Sequence, residues 1–305
     1  MVGCPNDTAP LVPDTPDNPP PDKETCTTVL SGQIDLPTIL VDTPAGCDYL
    51  LEGELEVTSS LIIEPGVKVI ATRSSSINVE GADLIAVGTA NKRIVFEGEV
   101  HLQGYWGGIT VRDARPSRIE YVDIKDGGQA SDSFGAGLLL DDVVVSLANS
   151  TVSNSFVDGV WIRGGVEFST FANNRFYGNA LSGLIIDEAT TISSLDEESD
   201  YLGSEKPNGQ PYIDLSGVFL STFRTSEQSW KKLNAPYYLS STMSLANVVL
   251  KLEPGIELIF KGGASGSTPD ARIWSSGGII AVGTADEPII FRGARPEIDT
   301  WKGLE

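Results

Sequence analysis

The stretch Leu61-Ile62-Ile63-Glu64-Pro65-Gly66-Val67-Lys68-Val69-Ile70 returns near the C-terminus as Val249-Leu250-Lys251-Leu252-Glu253-Pro254-Gly255-Ile256-Glu257-Leu258-Ile259. Three landmarks follow each copy in the same order: Ala-Val-Gly-Thr-Ala (86–90 and 281–285), a branched pair ending in Phe (94–96 and 289–291), and Trp106 or Trp301. The offset between copies is wider from Ala86 onward, where Ala281 is the equivalent, than at Ile63, where Leu252 is. The surplus lies in the Gly/Ser-rich stretch 261–270. A duplication of this kind points to an architecture that adds like units side by side.

Between the copies, short apolar strands recur at wide, regular spacing. Ile85-Ala86-Val87, Ile109-Thr110-Val111, Leu138-Leu139-Leu140, Val160-Trp161-Ile162 and Leu184-Ile185-Ile186 form one such row. A second row comprises 94–96, 121–124, 143–145 and 168–171, with Asn, Gly and Ser between strands. A sandwich would need longer strands joined by two-residue hairpin turns. Very short strands recurring roughly every two dozen positions instead describe a solenoid, each strand about 4.8 Å above its equivalent in the previous coil. One coil cannot bury its inward face alone; stacked coils share a dry interior. Asn149 and Asn173, one coil apart, are candidates for a stacked amide ladder at a left-handed corner. Pro65-Gly66 and Pro254-Gly255 suit type II turns.

This residue set resembles the right-handed parallel β-helix of the pectin-lyase-like superfamily. More narrowly, Ile-Glu-Pro-Gly, Ala-Val-Gly-Thr-Ala, Trp-Gly-Gly-Ile, Glu120 to Ile124 and Asn154 to Gly159 resemble bacterial surface lipoproteins with this fold. The resemblance covers roughly 30–190 and 237–305. The expected architecture is all-β: a right-handed, single-stranded parallel β-helix (solenoid) behind a disordered, Pro-rich N-terminal tether. The expected organisation is a tether over 1–25, a first β-helix copy over 26–190, a connecting segment or insertion over 191–236, and a second, truncated copy over 237–305. Residues 190–230 interrupt the ladder, either as a lateral insertion into one superhelix or as the start of a second. One continuous superhelix is favoured.

The tether carries seven prolines among Asp, Asn and Thr and cannot bury apolar area. At its head, Val2-Gly3-Cys4 resembles the end of a lipoprotein signal, in which a small residue precedes the lipidated Cys. That resemblance implies lipidation of Cys4, export, and the outer membrane, cell surface or periplasm as location. In an exported protein Cys26 and Cys47 are then candidates for a disulfide; two free buried thiols are the alternative. The formal charge of −21, with Lys and Arg scattered, argues against a phosphate backbone as partner, and no nucleic acid is expected. No apolar run approaches a membrane span, which leaves a lipid anchor as the membrane contact.

With alternate strand residues facing opposite sides, the outward row is expected to be Ala86, Thr110, Leu139, Trp161 and Ile185. A second row, Arg112, Asp141, Arg163 and Asp187, would alternate in sign. Leu139, Trp161 and Ile185, with Arg163 as donor, form a candidate platform for a polysaccharide or surface protein. The alternative is that this row is buried, under the loop 127–135 or the acidic segment near Asp196.

An enzyme of the same fold acting on acidic polysaccharide, as lyase or glycoside hydrolase, is the competing expectation. A hydrolase needs paired carboxylates, yet the Asn-Thr-Asp, Gly-His-Gly and Arg-Ile-Lys elements of such enzymes are absent. Asp141-Asp142 sits where a strand turns and reads as a corner. Asp123, Asp126 and Asp158 are the weak candidates for a Ca2+ cluster, although calcium prefers six to eight oxygens. His101, the single histidine, reads as a surface residue. No catalytic residue is assigned, and a binding or structural scaffold is the leading expectation.

Overall fold

The computed structural model describes residues 26–44, 46–129, 135–187, 189–215, 226–262, 271–295 and 301–305. Its named strands pair in parallel throughout, forming a parallel β-helix. Each rung has three sides. Side one stacks Lys68–Ala71, Ile94–Gly98, Val122–Lys125, Thr151–Ser153 and Arg175–Tyr177. Side two stacks Ser76–Glu80, Gly108–Arg112, Ala136–Asp141, Asp158–Arg163 and Leu184–Ile186. Side three stacks Leu61–Ile63, Leu84–Val87, Ser117–Glu120, Val144–Ala148 and Glu167–Ala172. The long strand Cys47–Val57 bends across sides one and two at Gly53 and pairs with both.

The expected inward column is present: Leu55, Ile77, Ile109, Leu138, Val160 and Leu184 are Cα partners in succession, and all are buried. Two assignments change. Ala86 is buried on side three, paired with Ile119 and Ile63, and Asn78 takes its place beside Thr110 in the outward row of side two. The interval from Ile85 to Ile109 matches the others only by coincidence, because this rung is a long one that runs from Ile77 to Ile109. The expected second row likewise merges sides one and three.

Those sides are hard to separate in sequence because a single left-handed residue can divide them. Tyr121, Asn149 and Asn173 turn side three into side one at φ 53°, 52° and 54°. Asp126, Asn154 and Gly178 turn side one into side two at 65°, 59° and 65°. Gly81, Asp113, Asp142 and Gly164 turn side two into side three at 64°, 45°, 47° and 55°. Asn, Asp and Gly enter this region at least cost, so the corners recruit them. Gly66 (φ 99°) and Gly255 (φ 79°) close the expected type II turns, and the Val67 N–H donates to the Glu64 carbonyl at 3.3 Å.

The expected amide ladder at Asn149 and Asn173 is absent: the inward side chains at that corner are Ser150 and Asn174, and amides stack at the following corner, where Asn179 Nδ2 donates to Asn208 Oδ1 at 3.0 Å. Asn174 is fully buried; its Oδ1 accepts from the Ser150 N–H at 3.1 Å and its Nδ2 donates to the Leu147 carbonyl at 2.9 Å. Asn179 accepts from the Ser155 N–H at 3.0 Å, and Asn208 accepts from the Asn179 N–H at 3.0 Å. Asn149 and Asn173 are left at the surface, so the residue after each, Ser150 and Asn174, reaches inward and satisfies the corner amides. Cys26 and Cys47, Cα partners at the first rung, form a disulfide.

The connecting segment is threaded into the stack. Ile213–Asp214 pairs with side two at Ile185 and then with Tyr237–Leu239, and the ladder continues through Glu257–Phe260 and Ile290–Gly293. In the first copy the counterparts of these last two strands, Lys68–Ala71 and Ile94–Gly98, lie on side one. The two copies therefore stack one side out of step.

Candidate functional site

Side two carries the outward row Thr110, Leu139, Trp161, Ile185, Asp214 and Tyr238, each the Cα partner of the next. Leu139 is 1% exposed and offers no surface. Trp161, Ile185, Asp214 and Tyr238 are half-buried, and their neighbours alternate inward into the core, as pleating requires. The platform therefore starts at Trp161 and extends past Ile185, across the junction between the two copies. Asp214 and Tyr238 were missed in sequence because the connecting segment broke the coil pattern.

The indole of Trp161 is fixed on two sides. Its Nε1–H donates to Asp187 Oδ2 at 3.0 Å, and the Arg163 guanidinium lies 5.3 Å from the ring centroid. Arg112 and Arg163 are both Cα partners of Asp141, and their side chains approach its carboxylate at 3.6 and 3.9 Å. The alternating row is therefore a stacked charge ladder, beginning with Glu80 beside Arg112. Tyr212 stacks on Tyr238 with ring centroids 4.2 Å apart and planes at 15°.

The carboxylates around these rings are electrostatically linked. Asp158 is 6% exposed, and its Oδ1 accepts from the Ser182 N–H at 2.9 Å. Burial pushes its pKa up to about 7; the Ser182 bond opposes this and the charges of Asp214 and Asp187 add to it. Burial also raises Asp187, against the Trp161 hydrogen bond and Arg163. Tyr212 is pushed up to about 12 by burial, with Tyr238, Asp214 and Asp158 contributing.

The other sequence candidates lie elsewhere. Asp123 is held bidentately by Arg93 at 2.8 and 2.9 Å. Asp126 is buried at a corner, accepting from the Asn154 amide at 2.6 Å and the Gly98 N–H at 3.3 Å, and paired with His101 Nδ1 at 2.8 Å. His101 is thus tied down by a buried carboxylate, a contact with no signal in sequence. With Asp158 bound to Ser182, each member of the proposed calcium trio is engaged by protein donors. Among the described residues no group of three or more His, Cys, Asp or Glu is arranged to hold a metal ion. Asp142 is a corner residue that accepts from the Gly165 N–H at 2.5 Å. The acidic segment does not cover the platform: Asp196 accepts from the Asn173 N–H at 2.8 Å, at the corner entering side one. Cys4 and residues 130–134 of the loop 127–135 lie outside the described residues.

A second polar groove runs along side one past Tyr121, Asn149 and Tyr177. Its cations are paired internally: Arg93 with Asp123, Lys125 with Glu97 at 3.2 Å and Arg175 with Glu205 at 2.7 Å. Side two combines aromatic area with polar groups and is the better candidate. No protein-family model, curated protein or solved structure matches the chain, so the chemistry of this face is read from its own residues.

Proposed function

We propose that this chain is a binding scaffold whose second side holds a polysaccharide along the β-helix axis. The observation supporting this is the in-register outward row Trp161, Ile185, Asp214 and Tyr238, which sets aromatic and polar groups at one-rung spacing of about 4.8 Å. Aromatic rings supply apolar area for sugar faces, and carboxylates accept from hydroxyls. With Trp161 pinned by Asp187 and Arg163, little side-chain freedom is lost on binding. The Cys26–Cys47 bridge supports an oxidising, extracytoplasmic setting. Anchoring through Cys4 at the outer membrane belongs to the same proposal.

Calorimetric titration with a panel of soluble oligosaccharides tests this reading. Trp161→Ala and Tyr238→Ala should each weaken binding about tenfold, equivalent to about 1.4 kcal/mol. No bound glycan, or affinity unchanged in both variants, would overturn it.

A hydrolase reading is favoured by one observation: Asp158, at about 7, lies in the field of Asp187 and Asp214, and carboxylates of differing proton affinity serve as acid and base in glycoside hydrolysis. New reducing ends appearing during the same titrations would favour it over pure binding.

A further inference from the structure

We infer that the side-two strip selects saccharides by charge, preferring amine-bearing chains to neutral ones and rejecting polyuronates. This rests on the polysaccharide-binding reading above and adds the class of ligand. The aromatic row makes the surface; the groups beside it decide what can lie on it.

Among the described residues, Asp141, Asp158, Asp187 and Asp214 lie about Trp161 and Tyr212; the cations beside Trp161 are Arg112 and Arg163, and Arg295 acts on Tyr238 at the far end of the strip. Arg112 and Arg163 are directed at Asp141, and Arg163 also leans over the Trp161 ring, so an incoming carboxylate there would have to compete with groups already in place. Asp187 uses one oxygen to accept from Trp161, and an ionised carboxylate has about four acceptor sites, so capacity remains there for ligand N–H and O–H donors. Asp158, enclosed and titrating at about 7, is largely protonated at pH 6 and adds no charge for a ligand to meet. Hydroxyls and ammonium groups supply donors. A uronate brings a further acceptor and a like charge into partly desolvated surroundings, where screening is weakest.

Burial is the main cause of the upward shifts of Asp158 and Asp187, and the charge of Asp214 adds to both. The chain's total charge of −21 also repels polyanions, but at long range. Salt separates the two effects. Near 0.5 M NaCl the Debye length falls to only a few Å, about 3 Å at 1 M, so discrimination that survives there comes from contact groups.

The test uses the full chain at about pH 6, titrated in low salt and at about 0.5 M NaCl with three hexasaccharides: glucosamine, N-acetylglucosamine and galacturonate. In high salt the glucosamine hexamer should bind at least about tenfold more tightly than the galacturonate hexamer, with the neutral one between. Asp187→Asn, isosteric and still able to accept from Trp161, should reduce that ratio to about threefold or less. Equal or tighter galacturonate binding, or an unchanged ratio in Asp187→Asn, overturns the charge inference while leaving saccharide binding intact. If no hexamer binds, or if Trp161→Ala and Tyr238→Ala alter none of the affinities, the binding reading fails and takes the inference with it.

Discussion

Asp158 occupies an unusual position for a carboxyl in so acidic a chain: it is nearly enclosed, with one backbone donor and other carboxylates near it. Its pKa of about 7 in the folded chain compares with about 3.9 for an unfolded Asp. Between those values the native chain holds a proton that the unfolded chain has lost, so this group's contribution to stability is greatest below about pH 4 and falls as pH rises toward 7. Asp187, shifted in the same direction, adds to that slope. Asp158→Asn keeps an acceptor for the Ser182 N–H and removes the titration. The variant should show a flatter melting profile from pH 5 to 8 and melt above the parent at pH 8, by about 2–4 °C per kcal/mol recovered. Parallel profiles for the two proteins would contradict the assignment. None of this was legible in sequence. Asp158 stood out only as an acidic residue near a corner, because burial and the approach of Asp187 and Asp214 arise from stacking.

The corners show how local chemistry and position divide the work within a rung. Asn149 adopts αL and is half-exposed, whereas Asn174 fills its corner from inside and satisfies an N–H and a C=O of the neighbouring rung. Asn174→Ala removes both of these bonds and should cost about 2–6 kcal/mol, at roughly 1–3 kcal/mol for each buried group left short of a partner. Asn149→Gly retains the backbone conformation and should stay within about 1 kcal/mol of the parent. Urea midpoints of the two variants check the contrast, and similar losses would mean that the outer Asn carries the corner after all. In sequence the left-handed corner at Asn149 and Asn173 was recognisable, but the inward hydrogen bonding was assigned to those residues and not to the ones that follow them: composition marks a corner, and packing decides which side chain fills it.

At the level of the whole molecule, stability should be layered along the axis. Middle rungs such as Ala136–Asp141 are covered above and below, and their inward residues are close to zero exposure. The last described rung is covered on one side: Ala281 is exposed and Ile289 half-buried, whereas their equivalents in the first copy, Ala86 and Ile94, are buried. Neighbour-coupled rungs open from their ends. Hydrogen exchange in this chain should therefore be slowest in Ala136–Asp141 and Asp158–Arg163 and fastest, among the strands, in Gly278–Ala281 and Ile290–Gly293. Uniform rates along the axis would show that the stack opens as one unit. The same axial view explains the candidate site, since Trp161 and Ile185 belong to the first copy, Tyr238 to the second, and Asp214 to the segment joining them.

Residue order was enough to read the solenoid class, the inward column from Ile109 to Leu184, the type II turns and the candidate pairing of Cys26 with Cys47. Each follows from interactions that recur once per rung or lie close along the chain, so periodicity and turn chemistry encode them. Packing in three dimensions settled the rest: that a rung has three sides, that Leu139 is covered, that Asp126 grips His101, and that the second copy stacks one side out of step. Those outcomes depend on rung lengths that vary, as the short rung from Leu55 to Ile77 and the long one from Ile77 to Ile109 show. Extra residues are taken up between strands while the column from Leu55 to Leu184 stays in register, so spacing along the chain does not by itself assign a strand to its side.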